Sequence, residues 1–256
     1  MGIGLALGGG AVRGLAHIGV FKVLTKHQIP ISFIAGTSMG GAIGGLIASG
    51  IAIEEIEEFV LSLPSVRVLE LGIGKLSMLG GDKVYQMLLD FLDQKGLHNF
   101  QIEDTVIPFQ AITVDLIRGE QYVFDHGSLS LALRATTAVP GVFAPVLYND
   151  MVLVDGGVLN NVPADIVKAS GAEVGVAVDV GRELIDSEPT SMFDVMRRSI
   201  DVMMLDNVRQ VIKHADVVLR PDVGQYQAYD LSKIRTCIDA GEQEAEAKLS
   251  SILKRL

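Results

Sequence analysis

Short apolar runs alternate with longer segments of helical spacing along most of the chain. Residues 3–7 form an apolar run that glycines stop, and residues 15–27 then repeat apolar positions at the spacing of one helix face. The same order of run, glycine turn and helix recurs at residues 31–35, 36–40 and 42–49. Strands connected through a helix in this way are parallel. The pattern therefore predicts an α/β protein.

The remainder of the chain continues this alternation. Residues 173–180 are almost continuously apolar, as in a strand covered on both faces. We interpret residues 64–81, which mix apolar residues with glycines and fit no period, as a candidate lid. The prediction is a three-layer α/β/α sandwich with a mainly parallel central sheet. Its further strands are expected at 109–115, 121–124, 151–154, 173–180 and 216–219, and its further helices at 53–63, 82–93, 128–137, 191–214 and 233–253.

Composition restricts the class of protein. The 256 residues, 49% of them hydrophobic, predict one domain over residues 1–256. A formal charge of −10 disfavours nucleic acid as a partner, because such binding rests on basic patches. The start of the chain has neither a basic region nor a cleavage site, and no apolar run reaches membrane-spanning length. Together with the single cysteine, Cys237, these features predict a soluble cytoplasmic protein.

Residues 36–40 read Gly-Thr-Ser-Met-Gly and match the GxSxG pattern, in which a serine occupies a sharp strand-to-helix turn. An apolar run precedes Ser38, and a helix rich in small residues follows it. This context places the hydroxyl at a helix N-terminus, where the helix dipole stabilises developing negative charge. Ser38 is therefore a candidate nucleophile. The alternative is an ordinary turn in which Ser38 caps the helix.

A glycine-rich stretch at residues 8–14 (GGGAVRG) ends the first predicted strand and opens the first helix. It falls on the same carboxyl edge of the sheet as Ser38, and the backbone N–H groups of such a turn suit an oxyanion. A dinucleotide-binding loop is disfavoured, because that site needs an acidic residue about twenty positions on and none occurs before Glu54. A Walker-type phosphate loop is disfavoured too, since no Gly-Lys-Ser/Thr follows.

A catalytic serine also needs a base. The five histidines are scattered, and His17, in the first predicted helix, is better explained as a packed or capping residue. Asp155 is the other candidate, because it follows a short apolar strand and precedes a glycine turn. An ordinary turn aspartate fits the same pattern equally well. Asp115, Asp125 and Asp150 lack metal-ligand spacing, so neither a metal nor a cofactor is predicted.

Taken together, these motifs resemble the patatin-like phospholipases, a family of lipid acyl hydrolases. The resemblance covers residues 3–165, and residues 166–256 would supply C-terminal strands and helices of the same patatin-like domain. It rests on five stretches in the family's order: GGGAVRG at 8–14, GTSMG at 36–40, residues 134–145, DGG at 155–157, and Asn161-Val162-Pro163.

The resemblance implies a Ser/Asp dyad in which Ser38 is the nucleophile and Asp155 the base. Such a dyad works at neutral pH only where burial raises the pKa of the aspartate. The glycine turn becomes the oxyanion hole, with the N–H groups of Gly10 and Ala11 as donors and Gly9 permitting the turn. The other implied site residues frame these groups: Arg13 as a phosphate contact or a brace beside Gly14, Gly36 and Gly40 in the elbow, and Gly156 and Gly157 after the base.

Two departures from the family pattern fall near this site. Ala11 stands where the family often has glycine, and its methyl group disfavours a positive φ at that position. Thr136 and Thr137 stand where serine is common, which we interpret as conservative packing. Neither departure changes a residue of the dyad.

The implied reaction is hydrolysis of fatty acyl esters, with phospholipids or lysophospholipids as substrates. The apolar segment 66–79 is a candidate cover for an acyl groove, and an irregular stretch packed on the core is the alternative. Because no basic amphipathic stripe is present, at most weak peripheral membrane contact is expected. Two other functions stay open: an acyltransferase, which shares the acyl-enzyme, and a regulatory or binding protein, for which Ala11 is the only hint.

Overall fold

The computed structural model describes residues 2–63, 77–181 and 188–256. The strands are β1 (Ile3–Leu7), β2 (Ile31–Thr37), β3 (Phe109–Asp115), β4 (Glu120–Phe124), β5 (Val146–Tyr148), β6 (Met151–Asp155), β7 (Val174–Val178) and β8 (Val217–Leu219). The α-helices are α1 (Ala16–Lys26), α2 (Met39–Ala48), α3 (Ile53–Ser62), α4 (Ser77–Gln94), α5 (Leu129–Thr136), α6 (Ala164–Ala169), α7 (Met192–Val211) and α8 (Ile234–Leu253).

All of these strands belong to one sheet with the order β5-β6-β3-β2-β1-β7-β8, and β4 also pairs with β3. Strands β3, β2, β1, β7 and β8 are parallel. Strands β4 and β6 run antiparallel to β3, and β5 runs antiparallel to β6. The parallel centre brings the carboxyl ends of β1, β2 and β7 to one edge of the sheet, where ligands bind in open α/β sheets.

The two faces of the sheet differ in the size of their side chains. In β1 the isoleucine and leucines face a large buried cluster shared with α1, α2, α3 and α8, whereas Ala6 faces the opposite side. Ala35 of β2 and Ala177 of β7 share that second face, where α6 and the C-terminal end of α7 pack. The alternation of large and small side chains thus gives the sheet a helical layer on each face, and the predicted three-layer α/β/α sandwich is confirmed.

Most predicted strands and helices agree with the structure to within a few residues. Helix α4 is the exception, because it begins at Ser77, so residues 77–81 of the predicted lid are helical. Residues 64–76, which contain the rest of that lid and most of the predicted groove cover, lie outside the described residues. The pattern missed β5 and α6, which are three and six residues long and too short to show a period.

Candidate active site

Ser38 lies between β2 and α2 in a strained turn. Its φ of 55° and ψ of −126° put a non-glycine residue at positive φ, and its side chain is nearly buried, with 8% exposed. Neighbouring glycines allow this geometry. A Cβ on Gly40 would lie 2.1 Å from the carbonyl oxygen of Leu7, and one on Gly36 would lie 2.5 Å from the carbonyl oxygen of Gly40. The turn therefore has the features of the predicted nucleophile elbow.

Two threonines near the elbow make buried hydrogen bonds that hold it. The N–H of Ser38 donates to Oγ1 of Thr136 at 2.9 Å, and this hydroxyl donates to the carbonyl of Ile112 at 2.6 Å. The hydroxyl of Thr37 donates to the carbonyl of Asn160 at 2.8 Å. Thr136 therefore does more than pack conservatively: it satisfies the backbone of the candidate nucleophile and ties it to β3.

The sheet topology brings Asp155 to Ser38. Strand β4 pairs with residues 111–115 of β3, a range that overlaps the partners of β2 (109–112) and contains those of β6 (113–115). Because a strand has only two edges, β2 and β6 must share the edge that β4 leaves open. Along that edge, Thr37 of β2 is level with Ile112 and Asp155 of β6 is level with Thr113. The two strands run toward each other, so their ends place Ser38 and Asp155 side by side.

The carboxyl group of Asp155 is buried, with 5% of the residue exposed. Its Oδ1 accepts the N–H of Gly157 at 2.8 Å, and Oδ2 has no hydrogen-bond partner in the described part of the chain. Burial raises the pKa of Asp155 from 3.8 to about 6, against smaller lowering effects of the Ser38 hydroxyl and the Gly157 N–H. Asp155 is thus ionised at neutral pH, yet far more basic than an exposed aspartate.

The glycine turn follows β1 and faces the elbow, since a Cβ on Gly9 would lie 2.9 Å from the Cβ of Ser38. Gly10 and Ala11 are half-buried, and their N–H groups have no acceptor among the described residues. The N–H groups on either side of them are all bonded: Gly8 to Val178, Gly9 to Asn161, Val12 to Ala228 and Arg13 to Gly10. The two unpaired donors are those the family resemblance implies for the oxyanion.

Ala11 has a φ of 50°, in the left-handed region that its methyl group was expected to disfavour. The conformation costs on the order of 1 kcal/mol for a residue other than glycine. The bonds of Gly9 and Val12 on either side hold the turn in place, so Ala11 accepts the strain.

Arg13 and Gly14 form the C-terminal end of the glycine turn. Arg13 is buried, with 7% exposed, and its Nη1 donates to the carbonyl of Tyr226 at 3.3 Å. Of the two roles implied for Arg13, this contact favours a brace over a phosphate contact. Gly14 lies against the side chain of Met39 at the start of α2, so the turn and the elbow pack directly on each other.

The structure also brings residues to the site that the sequence did not single out. The amide of Asn161 donates to the carbonyl of Gly9 at 3.2 Å, and its only sequence indication was the Asn-Val-Pro stretch after DGG. The pKa of Tyr229 rises to about 12, through burial first and then the negative charge of Asp155.

Nε2 of His17 lies 2.7 Å from the carbonyl of Gly8, and burial lowers the pKa of His17 to about 4, which agrees with the packed role expected from the sequence.

The described ranges contain neither a metal-binding cluster nor a helix that could span a membrane. No group of three or more histidine, cysteine, aspartate or glutamate side chains there could hold a metal ion. Asp115, one of the dispersed acids, accepts from the N–H groups of Ile117 and Val152 and pairs with Arg118. None of the helices in these ranges combines the length and apolar character needed to cross a bilayer.

The fold and the site together define a class of protein: an α/β sandwich with a serine at a strand-to-helix elbow on the carboxyl edge of its sheet. The model of the patatin-like phospholipase family matches residues 5–168, and the chain belongs to that family. The site residues from Gly8 to Asn161 fall within this match. The carbonyls of Tyr226 and Ala228, which support the glycine turn, lie beyond it.

Similar proteins agree with this assignment. An uncharacterized NTE family protein of Mycobacterium tuberculosis is 33% identical over 205 residues, which cover 77% of this chain and 55% of the relative. Patatin-like phospholipase domain-containing protein 6 of Mus musculus is 34% identical over 189 residues, which cover 71% of this chain and 14% of that protein. The chain thus spans about half the length, or less, of these curated relatives.

The fold is also similar to a solved structure, that of VipD from Legionella pneumophila. The TM-score is 0.60, and the similarity covers 98% of this chain and 66% of that one. At 13% sequence identity the similarity shows a shared fold and nothing about activity.

Proposed function

We propose that the protein is a serine lipid acyl hydrolase, which cleaves fatty acyl esters of phospholipids or lysophospholipids through an acyl-enzyme on Ser38. Membership of the patatin-like phospholipase family supports lipid esters as the substrate class. The observation that carries the proposal is the buried carboxylate of Asp155 beside Ser38, with a pKa of about 6 and an unpartnered Oδ2. A carboxylate in this state can take a proton from a neighbouring hydroxyl group.

In the proposed reaction Asp155 accepts the Ser38 proton as Oγ attacks the ester carbonyl carbon. The N–H groups of Gly10 and Ala11 donate to the oxyanion of the tetrahedral intermediate. When the intermediate collapses, the bond to the alcohol oxygen breaks and Asp155 returns the proton to that oxygen. Asp155 then deprotonates a water molecule that attacks the acyl-enzyme. The bond between the acyl carbon and Ser38 Oγ breaks, Asp155 returns the proton to Oγ, and the fatty acid leaves.

The two alternative functions use the same site differently. An acyltransferase would pass the acyl group from Ser38 to another acceptor, and competition between water and added alcohols separates it from a hydrolase. A binding protein without turnover was suggested by Ala11 alone. Since Ala11 adopts the left-handed conformation and keeps its N–H unpaired, this residue does not obstruct an oxyanion hole.

The weak peripheral membrane contact that we propose involves helix α7. Four side chains three or four residues apart, on one face of the helix, are more than half exposed: Met192, Met196, Ile200 and Met203. Met204, on the inner face, lies near Gly157 in the turn after Asp155. We expect a Met196→Ser, Ile200→Ser variant to lose activity on phosphatidylcholine vesicles relative to its activity on a soluble short-chain ester. An unchanged ratio would argue against contact through α7.

The first test of the function is labelling with a fluorophosphonate probe, followed by identification of the modified peptide. We expect the label on Ser38, and its loss in Ser38→Ala and Asp155→Asn. Ser49→Ala is a matched control, because Ser49 is equally buried but its hydroxyl donates to the carbonyl of Leu46, in the helix α2 that ends just before it. Absence of labelling in folded wild-type protein would favour the binding-protein alternative.

The second test is the pH dependence of ester hydrolysis. Because the base must be ionised and the pKa of Asp155 is about 6, kcat/KM should be constant above that pH and fall below it. An acid limb near pH 4, the value of an exposed aspartate, would contradict the assignment of a buried base.

A further inference from the structure

We propose that Asn161 is a positioning residue that aims the Gly10 N–H at the oxyanion, an inference that rests on the proposed function. The side chain of Asn161 is 7% exposed and lies between the two candidate catalytic turns. A Cβ on Gly9 would lie 2.6 Å from its Oδ1, and a Cβ on Gly157 would lie 2.9 Å from the same atom. Asn161 thus touches both the glycine turn and the turn that follows Asp155.

Asn161 holds Gly9 from both sides. Its main-chain carbonyl accepts the N–H of Gly9 at 3.0 Å, and its Nδ2 donates to the carbonyl of Gly9 at 3.2 Å. The second bond has a consequence for the next residue, because the Gly9 carbonyl and the Gly10 N–H belong to one planar trans peptide unit and point in opposite directions. Fixing the carbonyl toward Asn161 therefore fixes the direction of the Gly10 N–H.

The sequence makes such a restraint necessary. The peptide unit in question joins two glycines, and neither has a Cβ to disfavour rotation of the unit. If it turned over, the Gly9 carbonyl oxygen would replace the Gly10 N–H at the oxyanion position and repel the developing charge. Ala11 supplies the second N–H and has a Cβ, so the Gly9–Gly10 unit is the one that needs an external hydrogen bond.

The test compares Asn161→Asp and Asn161→Ala with wild type on a p-nitrophenyl ester. The aspartate is isosteric but replaces the donor with an acceptor, and the alanine removes the side chain. We expect kcat to fall about 100-fold, the typical effect of losing an oxyanion donor, with KM changed less than about threefold. In Asn161→Ala the acid limb should stay near pH 6, because Asp155 is untouched, whereas the new carboxylate of Asn161→Asp should raise the pKa of Asp155 and move the limb to higher pH. A loss of packing alone would not separate kcat from KM in this way.

Asn160→Ala is the matched control. It removes the same kind of buried amide one position earlier, where Nδ2 donates to Asp165 and not to the glycine turn. Wild-type kcat in folded Asn161 variants, or an equal fall of kcat in Asn160→Ala, would overturn the inference. Labelling of Ser38 in wild type tests the proposed function separately, so failure of the function and failure of the inference give different results.

Discussion

The two halves of the candidate active site use the chain differently. One half offers side chains: Ser38 from the elbow after β2 and Asp155 from the end of β6. The other half, the glycine turn at residues 8–14, offers only backbone N–H groups. Each half contains a non-glycine residue at positive φ, Ser38 at 55° and Ala11 at 50°. In the first half the strained backbone orients the side chain of Ser38, and in the second half it orients the peptide N–H of Ala11.

This difference determines what each half responds to. The side-chain half contains a buried carboxyl group, so its state changes with pH and its charged form destabilises the fold. The glycine turn offers only backbone N–H groups to an oxyanion, so its geometry decides what it contributes. That geometry comes from hydrogen bonds with three distant parts of the chain, at Asn161, Val178 and Ala228. We therefore expect substitutions in the side-chain half to act mainly through charge, and substitutions in the glycine turn to act mainly through steric contacts.

The largest effect is expected where the halves touch. In Gly40→Ala the new methyl would lie 2.1 Å from the Leu7 carbonyl and 2.7 Å from that of Gly8, so β1 and the elbow would have to separate. We expect a loss of about 3 kcal/mol or more in the free energy of unfolding, measured with denaturant. In the control Gly119→Ala the methyl meets nothing, and only the positive φ should cost about 1 kcal/mol. Equal effects in the two variants would mean that the contact is not tight.

The next effect concerns charge in the side-chain half. Because folding raises the pKa of Asp155 from 3.8 to about 6, the folded state holds its proton more tightly, and stability from this group falls as pH rises through that window. Asp155→Asn removes the charge and keeps an acceptor for Gly157. It should be inactive yet more stable at about pH 8, by at most about 3 kcal/mol, with the gain shrinking toward pH 4. Denaturation at several pH values tests this, and a gain that does not depend on pH would contradict it.

The sequence was sufficient to predict the elements that form each half. Apolar runs at residues 3–7 and 31–35, each followed by a glycine turn and a helix, predicted two parallel strands with both turns at one edge, because side-chain period is a local property. The pattern could not show that β6 shares an edge of β3 with β2, which brings Asp155 to Ser38. Strand order depends on packing between distant segments, which a local pattern does not report. In addition, β5 is only three residues long, which is too short to show a strand period.

The supports of the site were harder to predict than its central residues. Thr136 lies 98 positions from Ser38, and Asn161 lies 152 positions from Gly9. Their roles follow from hydrogen bonds to backbone groups, which any polar side chain of suitable length can make. The carbonyls that hold Val12 and Arg13 come from residues 228 and 226, and backbone atoms carry no sequence pattern at all.

A smaller effect should follow from Thr136→Val, which tests whether the elbow depends on its own hydrogen bonds. In a buried site the change removes the acceptor of the Ser38 N–H and the donor to the Ile112 carbonyl, at a cost of about 2 kcal/mol. We also expect a lower kcat, since Ser38 loses the bond that holds its backbone. Thr136→Ser keeps the hydroxyl and should retain most of the stability and kcat. If serine and valine behaved alike, the hydroxyl would have no part in holding Ser38.

The smallest effect is expected from Ala11→Gly in the glycine turn. Relief of the positive φ stabilises the folded state by about 1 kcal/mol, while the greater freedom of glycine in the unfolded chain offsets roughly 0.5–1 kcal/mol of that gain. The free energy of unfolding should therefore change by less than about 0.5 kcal/mol, and kcat should stay within about threefold, because the hydrogen bonds of Gly9 and Val12 already fix the turn. A rise in kcat of tenfold or more would mean that the methyl group holds the N–H away from the oxyanion. The glycine turn would then limit catalysis in the wild-type protein. Such a result would favour the regulatory or binding alternative, which the observed conformation of Ala11 does not favour.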